Sequence, residues 1–308
     1  MATEQTAFHQ TDMLTPFDLD SPTAYQRWRE HKLARAITDT GELIVEVKDP
    51  LALTSSEHTA LLDRCRRSNM VIYSTRSTPT DEDMVKRLGS QFGLKSMDAN
   101  WLAGKQGITR ITVCADDGQR QSYIPYTDRA IKWHTDGYYN PPERQVRGMI
   151  LHCVQSAGQG GENRLMDHEI AFLMLRDANS DFIRALSAPD AMTIPERTDE
   201  FGVARAAQTG PVFSTDPKSG DLHMRYTART RSIEWKQDAA TQAAVVALEN
   251  LLASDLPHIH RTRLEPGMGL LCNNVLHDRA EFSDTPGQTR LFYRARYHER
   301  VAGTHCNW

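Results

Sequence analysis

The hydrophobic and polar positions of this chain change character near Gly107. Ahead of that point the pattern predicts helices with a strand among them. Ser21-Pro22 opens a helix to about residue 37, rich in exposed Arg and Lys, and residues 42–47 read as a strand. Thr54-Ser55-Ser56-Glu57 is a capping box: the Thr hydroxyl and the Glu carboxylate can each satisfy an orphan backbone N–H at the start of a helix running to about Arg67. Thr80 is placed to cap a further helix, residues 81–92, which Gly93 stops. Beyond Gly107 short strands follow at residues 109–113, 122–126, 130–136 and 147–154. Asp167 caps an apolar helix to about Leu175. Residues 187–210 are long, polar and irregular in the manner of an active-site lid, and a last helix over 237–252 precedes three C-terminal strands. Helices first, then strands wrapped around a helical insertion, predict a mainly β protein with flanking helices, a double-stranded β-helix or jelly roll. The expected organisation is a single domain over residues 1–308: a helical N-terminal flank over 1–100, a jelly-roll core over 107–298 and a lid insertion around 187–235.

Composition narrows the class. A net charge of −4 and a pI of about 6.3 imply no general attraction to nucleic acid. The five cysteines, Cys65, Cys114, Cys153, Cys272 and Cys306, form no Cys-x-x-Cys pair, as expected of reduced thiols in a cytoplasmic protein. The polar stretch Met1 to Asp20 lacks the apolar segment of a signal peptide, and no run approaches the ~18 apolar residues of a membrane span. A cytoplasmic protein with a small-molecule partner is expected, without nucleic acid or membrane partners, and with homo-oligomerisation open.

His134-Thr135-Asp136, within Lys132-Trp133-His134-Thr135-Asp136-Gly137, is the only His-x-Asp among twelve histidines. On an extended strand alternate residues share a face, so His134 and Asp136 project together while Thr135 points away. An imidazole beside a carboxylate makes two-thirds of the His₂-carboxylate triad that holds Fe(II) and leaves three positions open. A lone His-x-Asp also arises by chance, and a strand histidine is more often a core residue than a ligand. The C-terminal region changes that balance. Residues 269–277, after a Pro266-Gly267 turn, read as one strand ending in His277. After a loop containing Asp284, Pro286 and Gly287, a second strand puts Arg290, Phe292, Arg294 and Arg296 on one face. Leu291, Tyr293, Ala295 and Tyr297 take the other face, which suits the core. The arginine face must then look into water or into a cavity that holds anions, since guanidinium binds carboxylate bidentately.

Trp133-His134-Thr135-Asp136, His277 and Arg290 together resemble the His-x-Asp…His…Arg signature of the taurine dioxygenase/TfdA-like family. These are Fe(II)- and 2-oxoglutarate-dependent dioxygenases, γ-butyrobetaine hydroxylase among them. Leu151-His152-Cys153, Gly160-Gly161-Glu162-Asn163, Gly210-Pro211-Val212-Phe213 and Leu276-His277-Asp278-Arg279 resemble further family segments, so the likeness runs over roughly residues 100–298. It implies Fe(II) held by His134, Asp136 and His277, with 2-oxoglutarate chelating the metal and pairing its distal carboxylate with Arg290. With O₂, the implied reaction hydroxylates an unactivated C–H and releases succinate and CO₂. Asn163 stands where many members carry a Thr that helps bind 2-oxoglutarate; its amide can donate the same hydrogen bond. Leu271-Cys272 stand where many have Asp-Asn, which sets this chain apart from the best-described members.

Arg294 falls where sulfonate-cleaving relatives hold the substrate anion, and Arg225 and Arg229 are placed to add to it. A small anionic substrate is therefore expected: a sulfonate, a dicarboxylate or an amino-acid carboxylate. Tyr126 and Tyr138 are expected near the mouth, with Tyr139 and Trp235; tyrosines would equally cage a quaternary ammonium. The plain alternative pairs Arg294 and Arg296 with lid acids Glu196, Asp199 or Glu200. Other readings stay open: a cupin-type metal site at His258-Ile259-His260 and Glu265, a zinc site on the same three ligands, and a non-catalytic 2-oxoglutarate sensor.

Overall fold

The computed structural model describes residues 15–76, 79–98, 107–113, 123–199, 202–229 and 233–306. Among them, six helices flank two facing sheets. The larger sheet contains β1 (Ile44–Val47), β2 (Met70–Thr75), β3 (Thr109–Ile111), β5 (Gly148–Gln155), β8 (Met268–Cys272) and β10 (Leu291–Tyr297), in the order β1-β2-β8-β5-β10-β3. The smaller contains β4 (Ile131–His134), β6 (Asn163–Met166), β7 (Ile259–Thr262) and β9 (Leu276–Arg279), in the order β7-β6-β9-β4. Only β1 and β2 pair in parallel; all other neighbours in these sheets are antiparallel. The expectation of a mainly β, double-stranded β-helix holds, and no hydrogen-bonded ladder among the described residues closes the two sheets into one barrel.

An apolar layer of Met70, Ile72, Met149, Leu151, Leu165, Leu270 and Phe292 fills the space between the sheets. The outer face of the larger sheet packs Val71, Tyr73, Ile150, Tyr293, Ala295 and Tyr297 against α2 (Ser55–Ser68) and α3 (Asp83–Ser90). β10 is thus buried on both faces, and its arginines lie inside the molecule. No helix among the described residues is long and apolar enough to cross a membrane.

The predicted caps fare unevenly. Thr54 and Glu57 form the capping box of α2, which ends at Asn69 with φ of 57°. Asp167 caps α4 (His168–Ala178) by accepting from the Glu169 N–H at 2.9 Å. Its carboxylate and that of Glu169 each lie 2.6 Å from the buried Lys32 ammonium of α1 (Pro22–Arg35), so the cap also docks that helix. Thr80 is not a cap: α3 begins two residues later than expected, and Asp81 receives the Asp83 N–H at 3.0 Å.

Four expectations need correction. Residues 70–75, apolar without alternation, form a strand buried on both sides, a second strand in the N-terminal flank beside the one expected near residues 42–47. Ile124–Tyr126 is a 3₁₀ turn rather than a strand, because Pro125 fixes φ and lacks the N–H a ladder needs; Ser122 lies outside the described residues. Residues 187–210 are not irregular. Met192–Ile194 pairs with Gln208–Gly210, and Arg197–Asp199 forms a hairpin with Gly202–Arg205. Finally, 269–277 is not one strand: the chain leaves β8 in the larger sheet and enters β9 in the smaller one, turning at Asn274 with φ of 51°.

Candidate metal centre

β4 and β9 are neighbours in the smaller sheet, and their register sets His134 directly opposite His277, with ring centroids 4.2 Å apart. Asp136 follows two residues after His134, where Gly137 turns the chain with φ of 67°. Potential ligand atoms of His134, Asp136 and His277 all lie within 4.8 Å of one another. Neighbouring side chains fix this geometry from behind. Trp133 points away and donates its indole N–H to the Leu252 carbonyl at 3.1 Å. Thr135 is fully buried, and its hydroxyl accepts the Tyr226 N–H at 3.1 Å. The Asn274 side chain accepts the Asp136 N–H at 2.7 Å and donates to the carbonyls of Asp136 at 2.9 Å and Val146 at 2.6 Å. The residue that switches the chain between sheets thus also clamps the His-x-Asp loop.

Both imidazoles turn Nδ1 to a carbonyl two residues upstream, His134 to Lys132 and His277 to Val275, at 2.9 Å each. Nδ1 therefore carries the proton, and Nε2 presents its lone pair. Burial pushes the His134 pKa down to about 3, the nearby His277 ring adding to it, so this ring is neutral. Burial works against charge on Asp136, but Arg294, Arg296 and the two imidazoles together hold its carboxyl well below the usual range. Its Oδ1 accepts from Arg294 Nη1 at 3.1 Å, while its Oδ2 is buried without a hydrogen-bond partner. A buried anionic oxygen is costly to leave unpaired. Beside two imidazoles, it completes a donor set suited to a divalent first-row metal with open positions. The cupin pattern is not assembled: no second such group forms among the described residues, and His260 Nδ1 instead lies 3.3 Å from the Thr40 hydroxyl.

His134 and Asp136 open onto a cavity of about 430 Å³, which Tyr126, Tyr138, Arg229 and Arg294 also line. Arg225 is not brought there. Its guanidinium donates to the carbonyls of Met192, Gln208, Gly210 and Pro211 at 2.7–3.3 Å, tying the 192–210 hairpin to the strand Leu222–Met224. Trp235 lies off the cavity, its ring 6.3 Å from Tyr226. Among the described residues the strand arginines pair with other acids than those of the lid. Arg294 pairs with Asp136, and Arg296 with Asp98 at 2.6 Å and the Tyr139 hydroxyl at 2.9 Å. Glu196 is exposed; the Asp199 side chain and Glu200 lie outside the described residues.

Arg290 and Asn163 do not line this cavity. Arg290 is buried, its guanidinium 3.9 Å from the Phe292 ring centroid and 5.1 Å from that of Phe282. No carboxylate among the described residues lies within ion-pair reach of it, and burial pushes its pKa down to about 10. Asn163 donates to the Asp278 carbonyl at 2.7 Å, and its Oδ1 is buried without a partner.

Residues 15–296 match the model of the taurine catabolism dioxygenase TauD, TfdA family. The chain belongs to this family. Solved structures share the fold at low identity. An asparagine oxygenase with Fe(II), 2S,3S-3-hydroxyasparagine and succinate aligns with a TM-score of 0.58 at 14% identity, over 94% of this chain and 86% of that one. The non-heme iron oxygenase OrfP with Fe and α-ketoglutaric acid gives 0.59 at 16%, over 91% and 92%. PvcB from Pseudomonas aeruginosa gives 0.57 at 17%, over 83% and 85%.

Several functional positions of this TauD/TfdA-family dioxygenase escape sequence reasoning. Asp98 is buried and holds Arg296 and Arg144, yet it lies 46 residues from the nearer of them. Asn274 is traceable only as an Asn, a residue that tolerates positive φ, in the middle of an apolar run. Arg197 and Arg205 line the cavity from a hairpin that reads as irregular loop.

Proposed function

We propose that this family member uses Fe(II), 2-oxoglutarate and O₂ to hydroxylate an unactivated C–H of a small anionic substrate, releasing succinate and CO₂. The observation that carries the reading is the unpartnered Oδ2 of Asp136 beside the imidazoles of His134 and His277. These three residues would hold the metal. Bound Fe(II) would supply O₂ activation coupled to oxidative decarboxylation of 2-oxoglutarate. The neutral imidazoles need lose no proton to ligate, and the backbone carbonyls on Nδ1 fix their tautomer. Arg290, a buried cation with no carboxylate within ion-pair reach among the described residues, suits the distal carboxylate of 2-oxoglutarate, with Asn163 as a further polar contact. Arg229, Arg294, Tyr126 and Tyr138 would face the substrate, and Arg294 would also keep Asp136 oriented. The iron and succinate of the asparagine oxygenase, and the iron and α-ketoglutaric acid of OrfP, agree with this assignment.

The test is succinate formation from 2-oxoglutarate with added Fe(II), followed by a screen for compounds that stimulate it. Iron-dependent succinate that disappears in Asp136→Ala supports the reading. Binding of 2-oxoglutarate without any turnover would instead make the protein a sensor.

A further inference from the structure

His134 and His277 reach the metal centre from β4 and β9, and the pairing of β9 is irregular just beside them. Towards β4, His277 pairs with His134 but Arg279 pairs with Ile131, so Lys132 and Trp133 together oppose the single Asp278. A bulge of this kind interrupts the ladder and weakens the backbone grip between the two strands at that point. Towards β6, the pairs are Leu276–Met166 and His277–Leu165, and the Ala280 N–H then donates to the Glu162 carbonyl at 2.8 Å. Between these points side chains take up backbone groups. The Arg164 N–H donates to the Asp278 carboxylate at 2.9 Å, and the Asp278 carbonyl accepts from the Asn163 amide at 2.7 Å.

Arg164 spans this weak point from outside. Leu165 fills the layer between the sheets, so Arg164, one residue earlier on the strand, lies on the outer face. Its Nε and Nη2 donate to Asp278 Oδ2 at 2.8 and 2.5 Å, and its guanidinium stands 4.9 Å from the Trp133 ring centroid. Asp278 follows His277 in sequence, and Trp133 precedes His134. One side chain on β6 therefore touches the sequence neighbours of both imidazoles, reaching across β9 to β4. Asp278 is buried, whereas a third of the Arg164 side chain is exposed, so Arg164 can be replaced without opening the core.

We infer that Arg164 is a positioning residue for the metal centre, its bridge from Asp278 to Trp133 fixing how His277 stands against His134. This rests on the metal reading above and adds to it residues that do not themselves ligate. Groups one step behind metal ligands orient them, and their loss typically weakens metal binding by about 10–100-fold.

The test compares the full wild-type chain with Arg164→Met, Asp278→Asn and the double variant. In metal-free protein, the nuclear Overhauser contact between the two imidazoles, whose centroids lie 4.2 Å apart, should lose intensity in each variant. The contact between the stacked rings of Tyr73 and His152 should not change. Co(II), a spectroscopic probe for the site, should bind each variant about tenfold more weakly than wild type, with its visible band shifted. The double variant should bind it no more weakly than Arg164→Met, since both changes cut one bridge. A merely structural ion pair would lower the denaturation midpoint and leave the imidazole contact and the Co(II) band in place. Should Arg164→Met fail to fold, Arg164→Lys keeps the charge without the forked contact and should show the same losses. Absence of Co(II) binding in wild type would count against the metal reading, and the imidazole contact would still decide the bridge. In a folded variant, an unchanged imidazole contact, an unchanged Co(II) affinity, or losses that add in the double variant would each overturn the inference.

Discussion

Arg294 and Arg296 on β10 are buried against carboxylates that the protein supplies, Asp136 at 3.1 Å and Asp98 at 2.6 Å. Arg197 and Arg205, on the hairpin across the same cavity, are half-buried and face each other instead. One group of cations is neutralised from within; the other stands against aromatic rings of the cavity wall, Arg197 at Tyr123 and Arg205 at Tyr139. The sequence alone ranks them the other way, because the alternation of the C-terminal strand advertises its arginines while the carboxylates that absorb them come from distant segments. A buried arginine thus points to a ligand only when no internal acid answers it. Among the described residues no carboxylate lies within ion-pair reach of Arg290, which makes it the ligand-facing cation, and Arg296 is part of the frame.

The sharpest break of this comparison is to remove an internally paired cation. Arg296→Ala removes the buried partner of Asp98 and leaves it the half-exposed Arg144, and should cost about 3–5 kcal/mol of folding stability, as when one partner of a buried ion pair is removed. Chemical denaturation measures it; a loss under 1 kcal/mol would place Arg296 with the ligand-facing group. Arg290→Ala should behave in the opposite way. It should weaken 2-oxoglutarate by about 2–5 kcal/mol, as when one partner of a desolvated charge pair is truncated, while the denaturation midpoint moves little. An unchanged 2-oxoglutarate affinity would transfer that role to another arginine.

A pH titration extends the comparison to buried neutral groups. Burial pushes His152 down to about 4 and His223 to about 3. An unfolded histidine titrates near 6.5, so as pH falls below that value the unfolded chain takes up protons first. Stability should therefore be full above about pH 6.5 and decline towards pH 4 and 3. His152→Gln should flatten the decline, and an unaltered slope would remove His152 from the account. The smallest effect belongs to a solvated pair: Arg261→Ala breaks an exposed contact with Asp255 at 3.0 Å and should change stability by only about 0–1 kcal/mol.

What the sequence revealed follows the range of the forces involved. His134 and Asp136 were legible because two residues on an extended segment share a face, and the capping box of α2 because its hydrogen bonds close within one turn. The convergence of His277 on them depends on β9 leaving the sheet that holds β8. The cue for that crossing is a single Asn with positive φ, which local apolarity masks. The Arg296–Asp98 pair spans 198 positions of chain and the Lys32–Glu169 pair 137, so neither leaves a periodic trace. The bulge at Ala204 misleads in a further way, since it reverses the face that alternation assigns to Arg205.

The central claim, that His134, Asp136 and His277 form one Fe(II) site that also accepts 2-oxoglutarate, is tested most directly by anaerobic titration of the full chain with Fe(II) and 2-oxoglutarate under visible absorption. The account predicts a weak charge-transfer band that saturates at one iron per chain and is absent in His134→Ala, Asp136→Ala and His277→Ala, with circular dichroism showing the fold intact. A wild-type protein that gives no band, or any of the three variants that gives a full one, would contradict it.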